Sequence, residues 1–362
     1  MRNVTWLACF TLLGCGGVDA VGAVEARVIA PLPDGGYGYT TRRIHDVVSV
    51  AHLRSAHVDF RASSGLEQGL SGTHLERGQP FDLAFHLEDA VAVADDDRSL
   101  DALSAFANLN ACADLFARLG AASGPPMDVL FHPRMDSALL GDLRMSLIDN
   151  AAYAGSYDAF IIIPSFVLRA VPLEENLGVM CHEFGHSIMA HQAFGAGDGD
   201  LASKLQTNHA FLAMEEGVAD LFGYAATGDP NFIAPSVSQA GVREGRDLSQ
   251  PLTYTKDEYS ALWNTPDVDF DPHHSGSYLA RAVYEALPRE PDGRISTETR
   301  WAMATALIHA IDSHPFNDRD SMARFANAYL KQLGDADRPH ACEVLKLRLE
   351  PLTHIVAFEA CS

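Results

Sequence analysis

Two histidines four residues apart, in His182-Glu183-Phe184-Gly185-His186, constrain this chain more than any other feature. On a helix such a pair lies on one face, about 40° apart around the axis, so both rings can grip one metal ion. Glu183, next to the first ring, can reach a water on that ion and take its proton. A catalytic zinc takes three protein ligands and keeps one position for water, so a further ligand has to come from another element.

The metzincin arrangement would place a turning glycine seven residues after the first histidine and a third histidine three residues later. Those positions hold Met189 and Gln192, and His191 is one residue off. Further on, Glu216 and Asp220 are four apart and share a helix face. Phe211, Met214, Val218, Leu221 and Ala225 line the opposite face, which is the expected core side. Glu216 would bind the metal. Asp220 would accept the outer ring N–H of a metal-bound histidine, fixing its tautomer and raising its basicity. Alone, Glu215-Glu216 would read as a solvated helix face; beside the two histidines the ligand reading is favoured.

HEFGH followed by EEGVADLFG resembles the gluzincin peptidases, in particular their thermolysin-like and fungalysin-like branches. The resemblance implies His182, His186 and Glu216 as zinc ligands, Glu183 as general base and Asp220 as the partner of His182. The 29 residues between His186 and Glu216 (187–215) are nearer the fungalysin-like spacing, with Gly195 to Asp200 reading as an inserted loop. The same resemblance makes Asp271-Pro272-His273-His274-Ser275-Gly276 the opening of a helix that offers a hydrogen bond to the oxyanion. His273 matches a His-x-x-Gly spacing and His274 is the alternative; the sequence does not separate them. It also places Asn150 and Ala151 at an edge strand that pairs with the extended backbone of a substrate, which needs little side-chain information. One departure stands out. The thermolysin-like branch has a tyrosine between the histidine pair and the glutamate, and none lies there in this chain. Tyr254, Tyr259 and Tyr278 are the downstream alternatives. His209 lies two turns before Glu216 and shares its face.

Composition limits the partners. With 26 basic against 48 acidic residues there is no basic face for nucleic acid. A hydrophobic content of 47% supports a sizeable core. Arg2 precedes a short apolar run, Val4 to Leu13, and Leu12-Leu13-Gly14-Cys15 resembles a bacterial lipoprotein signal. This run is too short to span a bilayer. The expectation is an exported chain held in the cell envelope by a lipid on Cys15, with ordinary secretion after a cut near Ala20 or Ala23 as the alternative. Cys9 leaves with the signal, so Cys112, Cys181, Cys342 and Cys361 remain for disulfides. Cys342 with Cys361 is the expected pair. Cys112 with Cys181 competes with a buried free thiol at Cys181, which lies on the Leu177, Cys181, Phe184, Ile188 stripe. Asp198 and Asp200 are carboxylates of the kind that bind calcium, but the ligand pattern is too thin to assign a site.

The expected fold is α+β: a two-lobed zincin, with a β-rich N-terminal lobe, an active-site helix and a mainly helical C-terminal lobe. Residues 1–14 are the signal and 15–24 a tether. The β-rich lobe covers 25–192, ending in the HEFGH helix, and the helical lobe covers 193–362. Short strand-like runs fill 25 to about 95. Asp95 to Asp97 reads as a solvated turn. A helix is expected over 99–120, then a strand over Met127 to His132 and a hairpin-like stretch from 146 to 163. Helices follow over 176–192 and 204–226. A loop-rich stretch spans 227–271, then a helix runs to Leu287 and two or three more fill 297–350. The expected activity is zinc-dependent hydrolysis of internal peptide bonds. The alternative is a catalytically weak or inactive metallopeptidase-like surface lipoprotein acting in binding or adhesion.

Overall fold

Alternation of apolar and polar residues builds the first third of the chain. In Gly22–Pro31 (β1), Ala26, Val28 and Ala30 are buried while their neighbours are less so, the period-two signature of a strand with one covered face. The computed structural model describes residues 22–33, 35–69, 72–122, 124–135, 151–163, 171–194, 208–237, 239–264, 266, 270–313 and 321–362. The expected signal with Cys9 and Cys15, Asn150, and Asp198 and Asp200 lie outside the described residues. β1 starts at Gly22, inside the stretch expected to be a tether, and Val24 already pairs with Ile44.

Eight further strands precede the first helix: Tyr37–Ser49 (β2), Arg54–Ser55 (β3), Val58–Ala62 (β4), Gly65–Gly69 (β5), Gly72–Glu76 (β6), Gln79–Pro80 (β7), Phe85–Glu88 (β8) and Val91–Ala94 (β9). The two-residue strands β3 and β7 are too short to leave a pattern in sequence. Met127–Phe131 (β10), Arg134–Met135 (β11), Ala151–Ala154 (β12) and Ala159–Ile162 (β13) follow the first helix. The main sheet runs β12-β13-β10-β4-β3-β2-β1-β9-β8, with β7 beside β4; β11, β5 and β6 make a small second sheet. β10 is parallel to both β4 and β13 and is buried at every position. β12 and β13 form the expected hairpin, with Ala151 opposite Ile162 and Ala154 opposite Ala159. β12 therefore ends the sheet as an edge strand.

The first helix, Asp97–Arg118 (α1), begins where the Asp96 carboxylate accepts the Ser99 amide at 2.7 Å. The Asp95 to Asp97 run, expected to be a solvated turn, thus contains an N-cap. α1 is joined through Cys112–Cys181 to Leu177–Phe194 (α2), the helix carrying both histidines; the Cα atoms are 5.3 Å apart. Cys181 is half of a disulfide and not the free thiol that its apolar stripe suggested. Asn176, fully buried, starts α2 by accepting the amides of Gly178 and Val179. His209–Thr227 (α3) is capped by Asn208 and stops at Gly228, whose φ of 75° suits a residue without Cβ. Two short helices, Ala240–Arg246 (α4) and Lys256–Asn264 (α5), occupy a stretch expected to be loop. α4 buries none of its residues, so no apolar period marked it. Pro272–Glu285 (α6) has Asp271 as N-cap. Thr297–Ser313 (α7), Ser321–Gln332 (α8), Arg338–Arg348 (α9) and Glu350–Thr353 (α10) complete the helical part, and the expected Cys342–Cys361 disulfide closes its end.

The protein is thus mixed α and β, with a β-rich N-terminal region and a helical C-terminal one. One contiguous apolar core runs from Ala26 through α1 and α2 to Phe358. Gly185 lets α2 lie close against α3: a Cβ there would sit 2.8 Å from Phe222. Gly217 does the same for α3 and α6, since its Cβ would meet the Gly276 carbonyl oxygen at 2.5 Å. These two contacts bring His182, Glu216 and the start of α6 to one place.

A group of buried acids lies just upstream of α2. Glu174 and Glu175, in the single turn Leu173–Glu175, are 3% and 4% exposed, and Asn108 of α1 donates to both their carbonyls. Burial, with help from Asp101 and Glu174, pushes the Glu175 carboxyl up to about 8; burial and Glu174 push Asp101 up to about 6. A carboxyl raised on folding binds more protons in the native than in the unfolded chain, so stability falls as pH rises through that window. Unfolding free energy should therefore decline between about pH 4.5 and 8, and Glu175→Gln should flatten the decline by on the order of 3 kcal/mol. Chemical denaturation at pH 5 and pH 8 measures this; equal slopes for both proteins would show that Glu175 is ionised throughout.

Candidate metal centre

Helical spacing puts the rings of His182 and His186 side by side, with their Nε2 atoms 3.2 Å apart. α3 crosses beneath them and brings Glu216 Oε2 to 3.3 Å from His182 Nε2 and 3.7 Å from His186 Nε2. His273, at the start of α6, stands on the open side with its Nε2 3.3 Å from the same oxygen. His182, Glu216 and His273 each offer a donor atom within 4.8 Å of the others, a group that could hold a metal ion. His182 and His186 are buried, whereas the His273 side chain is 44% exposed.

The outer nitrogens are already engaged. His182 Nδ1 lies 3.0 Å from Asp220 Oδ1, and His186 Nδ1 lies 3.2 Å from Glu215 Oε1. A carboxylate only accepts, so each ring carries its proton on Nδ1 and turns a lone pair on Nε2 inward. Glu216 Oε2 is buried and has no hydrogen-bond partner. Three electron-rich atoms thus face one point at separations of 3.2, 3.3 and 3.7 Å. A tetrahedral ion with bonds of about 2.1 Å spaces its ligands about 3.4 Å apart. The donor set fits such an ion. Without one, burial opposes charge on His186, but Glu216 and Glu215 outweigh it and hold its pKa well above the ordinary histidine value. Burial likewise opposes charge on Glu216, and His273 and His186 hold its carboxyl well below the usual range.

Other side chains hold this arrangement. Arg246, at the end of α4, pairs with Asp220 and sits 3.2 Å from His182 Nδ1. Burial works against the charge on Asp220, but Arg246 and His182 keep its carboxyl below the usual range. Glu183 Oε2 accepts the backbone amide of Tyr153 at 2.9 Å, so the edge strand touches the expected base. Because Tyr153 N–H points out of the sheet, the Ala151 backbone two residues earlier points the same way. Asp271 Oδ1 accepts the His273 amide at 3.0 Å and lies 3.3 Å from its Nδ1, so one carboxylate caps α6 and orients the ring.

The expected site residues divide accordingly. His182, Glu183, His186, Glu216, Asp220 and His273 converge, and Ala151 lines the same cleft, which has a volume of 320 Å³. His274, the alternative to His273, does not line the cleft; its Nε2 is 3.5 Å from Tyr278 Oη. The alternation of direction around a helix turn separates the two neighbours. None of Tyr254, Tyr259 and Tyr278 lines the cleft; Tyr278 hydrogen-bonds Glu258, and Tyr254 packs on its ring. His209 Nδ1 meets the Leu262 carbonyl and its ring stacks on Phe270, which makes it a satisfied buried residue. Sequence reasoning missed Arg246, the Glu215 contact and the role of Asp271. Arg246 left no signal, being one arginine in a stretch without apolar period. Asp271 could have been found as an N-cap residue two before a candidate histidine. A scan of protein-family models and a search of curated proteins found no match for this chain.

Proposed function

We propose that the protein is a zinc-dependent endopeptidase of zincin architecture, as its resemblance to the gluzincins implies. The observation that carries the reading is the convergence of His182 Nε2, His186 Nε2 and an unpartnered Glu216 Oε2 at tetrahedral spacing, with Glu183 alongside. Zinc held by those three residues would supply Lewis acidity and make a water acidic enough to attack at neutral pH.

The chain's own residues do the rest. Glu183 takes a proton from the attacking water and passes it to the leaving amine. Its Oε2 accepts the Tyr153 amide, which leaves Oε1, 3.9 Å from His182 Nε2, to receive that proton. The outward backbone of β12 aligns an extended peptide along the cleft, which Ala151 and Ala152 line. His273, with Nδ1 turned to Asp271, donates from Nε2 in its imidazolium form, whose two N–H groups serve Asp271 and the oxygen that gains charge as water adds to the carbonyl. Asp220, Arg246 and Glu215 hold the two liganding rings. No tyrosine hydroxyl faces the cleft among the described residues, since Tyr153 donates to Asp158. His273 therefore carries the donor role without that help.

Export and a lipid on Cys15 belong to the same proposal, supported by two cysteine pairs at disulfide distance, which suits an oxidising compartment. Among the described residues no helix is long and apolar enough to cross a membrane.

Incubation of the zinc-loaded chain with a denatured protein, read by mass spectrometry, tests the activity. Internal cleavage is expected, lost on treatment with a zinc chelator and restored by added zinc. A chain that holds zinc and cleaves nothing would instead be the binding or adhesion lipoprotein.

A further inference from the structure

A second group of metal-ligating side chains lies outside the cleft, in a depression that α1 helps to line. His57 precedes β4, Asp46 lies on β2 and Asp114 lies on α1, so three separate elements contribute. His57 Nε2 is 3.8 Å from Asp46 Oδ2 and 3.8 Å from Asp114 Oδ1, and the three donor atoms all fall within 4.8 Å of one another.

Three features distinguish this from a chance meeting of surface charges. His57 Nε2 is buried and has no hydrogen-bond partner, which costs free energy unless something occupies the space before it. At 3.8 Å both carboxylate oxygens are too far to accept from the ring, yet they flank it. Arg43 and Arg118 line the same depression, but among the described residues neither carboxylate is paired with an arginine; Arg118 bonds the Asp114 backbone carbonyl instead. The carboxylates are thus free to turn toward a common point. The backbone beneath them is set. Asp46 adopts a left-handed φ of 54°, and its carbonyl accepts the Ala56 amide at 2.9 Å.

We propose that Asp46, His57 and Asp114 form a structural site for a divalent transition-metal ion of the zinc class. One imidazole nitrogen and two carboxylate oxygens suit such an ion, with solvent as the fourth ligand. Reaching the tetrahedral spacing of about 3.4 Å means closing from 3.8 Å at the ring and from within 4.8 Å between the two carboxylates, which side-chain rotation supplies. The Asp46 side chain, 63% exposed, is free to make them. The ion would clamp β2 and the start of β4 to α1, the helix that the Cys112–Cys181 disulfide ties to α2. This inference stands apart from the proposed peptidase activity and uses none of its residues.

The test removes the cleft histidines first. A His182→Ala/His186→Ala variant is titrated with zinc against a chromophoric chelator, with melting followed alongside. It should still bind about one zinc per chain and melt higher with zinc than without. Adding His57→Gln or Asp114→Asn should abolish both effects. Asp46→Asn, at an exposed position that leaves the core untouched, should weaken the remaining zinc about tenfold or more, as loss of even an outer-shell partner does. A folded double variant that binds no zinc, or binding unchanged by Asp46→Asn, overturns the proposal. If the wild type and the double variant bind equal amounts, it is the cleft site that fails, and the two readings separate.

Discussion

Glu183→Gln should abolish hydrolysis while leaving zinc in place. Glutamine has nearly the shape of glutamate and can still present an oxygen to the Tyr153 amide, 2.9 Å away in the wild type. It cannot accept a proton from water. Glu183 does not bridge the ligand atoms, lying 3.9 Å from His182 Nε2, so the ion should remain. General-base removal costs 10² to 10⁴ in rate, and a fall of about 1,000-fold in kcat is expected, equivalent to about 4 kcal/mol of barrier. Metal analysis and peptide hydrolysis on the same preparation measure both halves. A variant that loses zinc would recast Glu183 as a ligand; one that keeps full activity would remove it from the mechanism.

The second large effect concerns the ligand itself. Glu216→Ala should empty the cleft of metal. Glu216 Oε2 is the one atom shared by His182, His186 and His273, with no other partner to release. Outer-shell changes already cost 10 to 100-fold in metal affinity, so loss of a ligand should exceed about 100-fold. Equilibrium dialysis against zinc reads this directly, on a background that lacks the Asp46 carboxylate. His273→Ala is the companion. If His273 donates to the oxyanion, zinc occupancy stays and kcat falls by about 100-fold or more. If occupancy falls with it, His273 is a fourth ligand and another donor serves the oxyanion.

Much of this centre could be read from sequence because helix geometry does the work. The spacings 182/186 and 216/220 each specify a shared face, and the stripe from Phe211 to Ala225 specifies which face of α3 is buried. The Asn208 cap and the stop at Gly228 are likewise local. What escaped depends on distance in the chain. Arg246 reaches Asp220 across 26 residues, from a helix with no buried position. The choice between His273 and His274 depends on how far α6 turns before it meets α3, which Gly217 and Gly276 decide by contact. The sheet order, with β10 between β4 and β13, follows from long-range parallel pairing that no local pattern encodes. Cys181 illustrates the limit from the other side. An apolar stripe and a disulfide both bury a cysteine, so burial alone could not choose between them.

The contiguous core has a mechanical consequence. Buried side chains continue without a break from the sheet, under the floor of the cleft, into the C-terminal helices. Swinging the two walls apart would therefore tear close-packed contacts, at a cost far above thermal energy. Among the described residues the two walls form one packed body, and a guest must be narrow enough to lie in the groove between them.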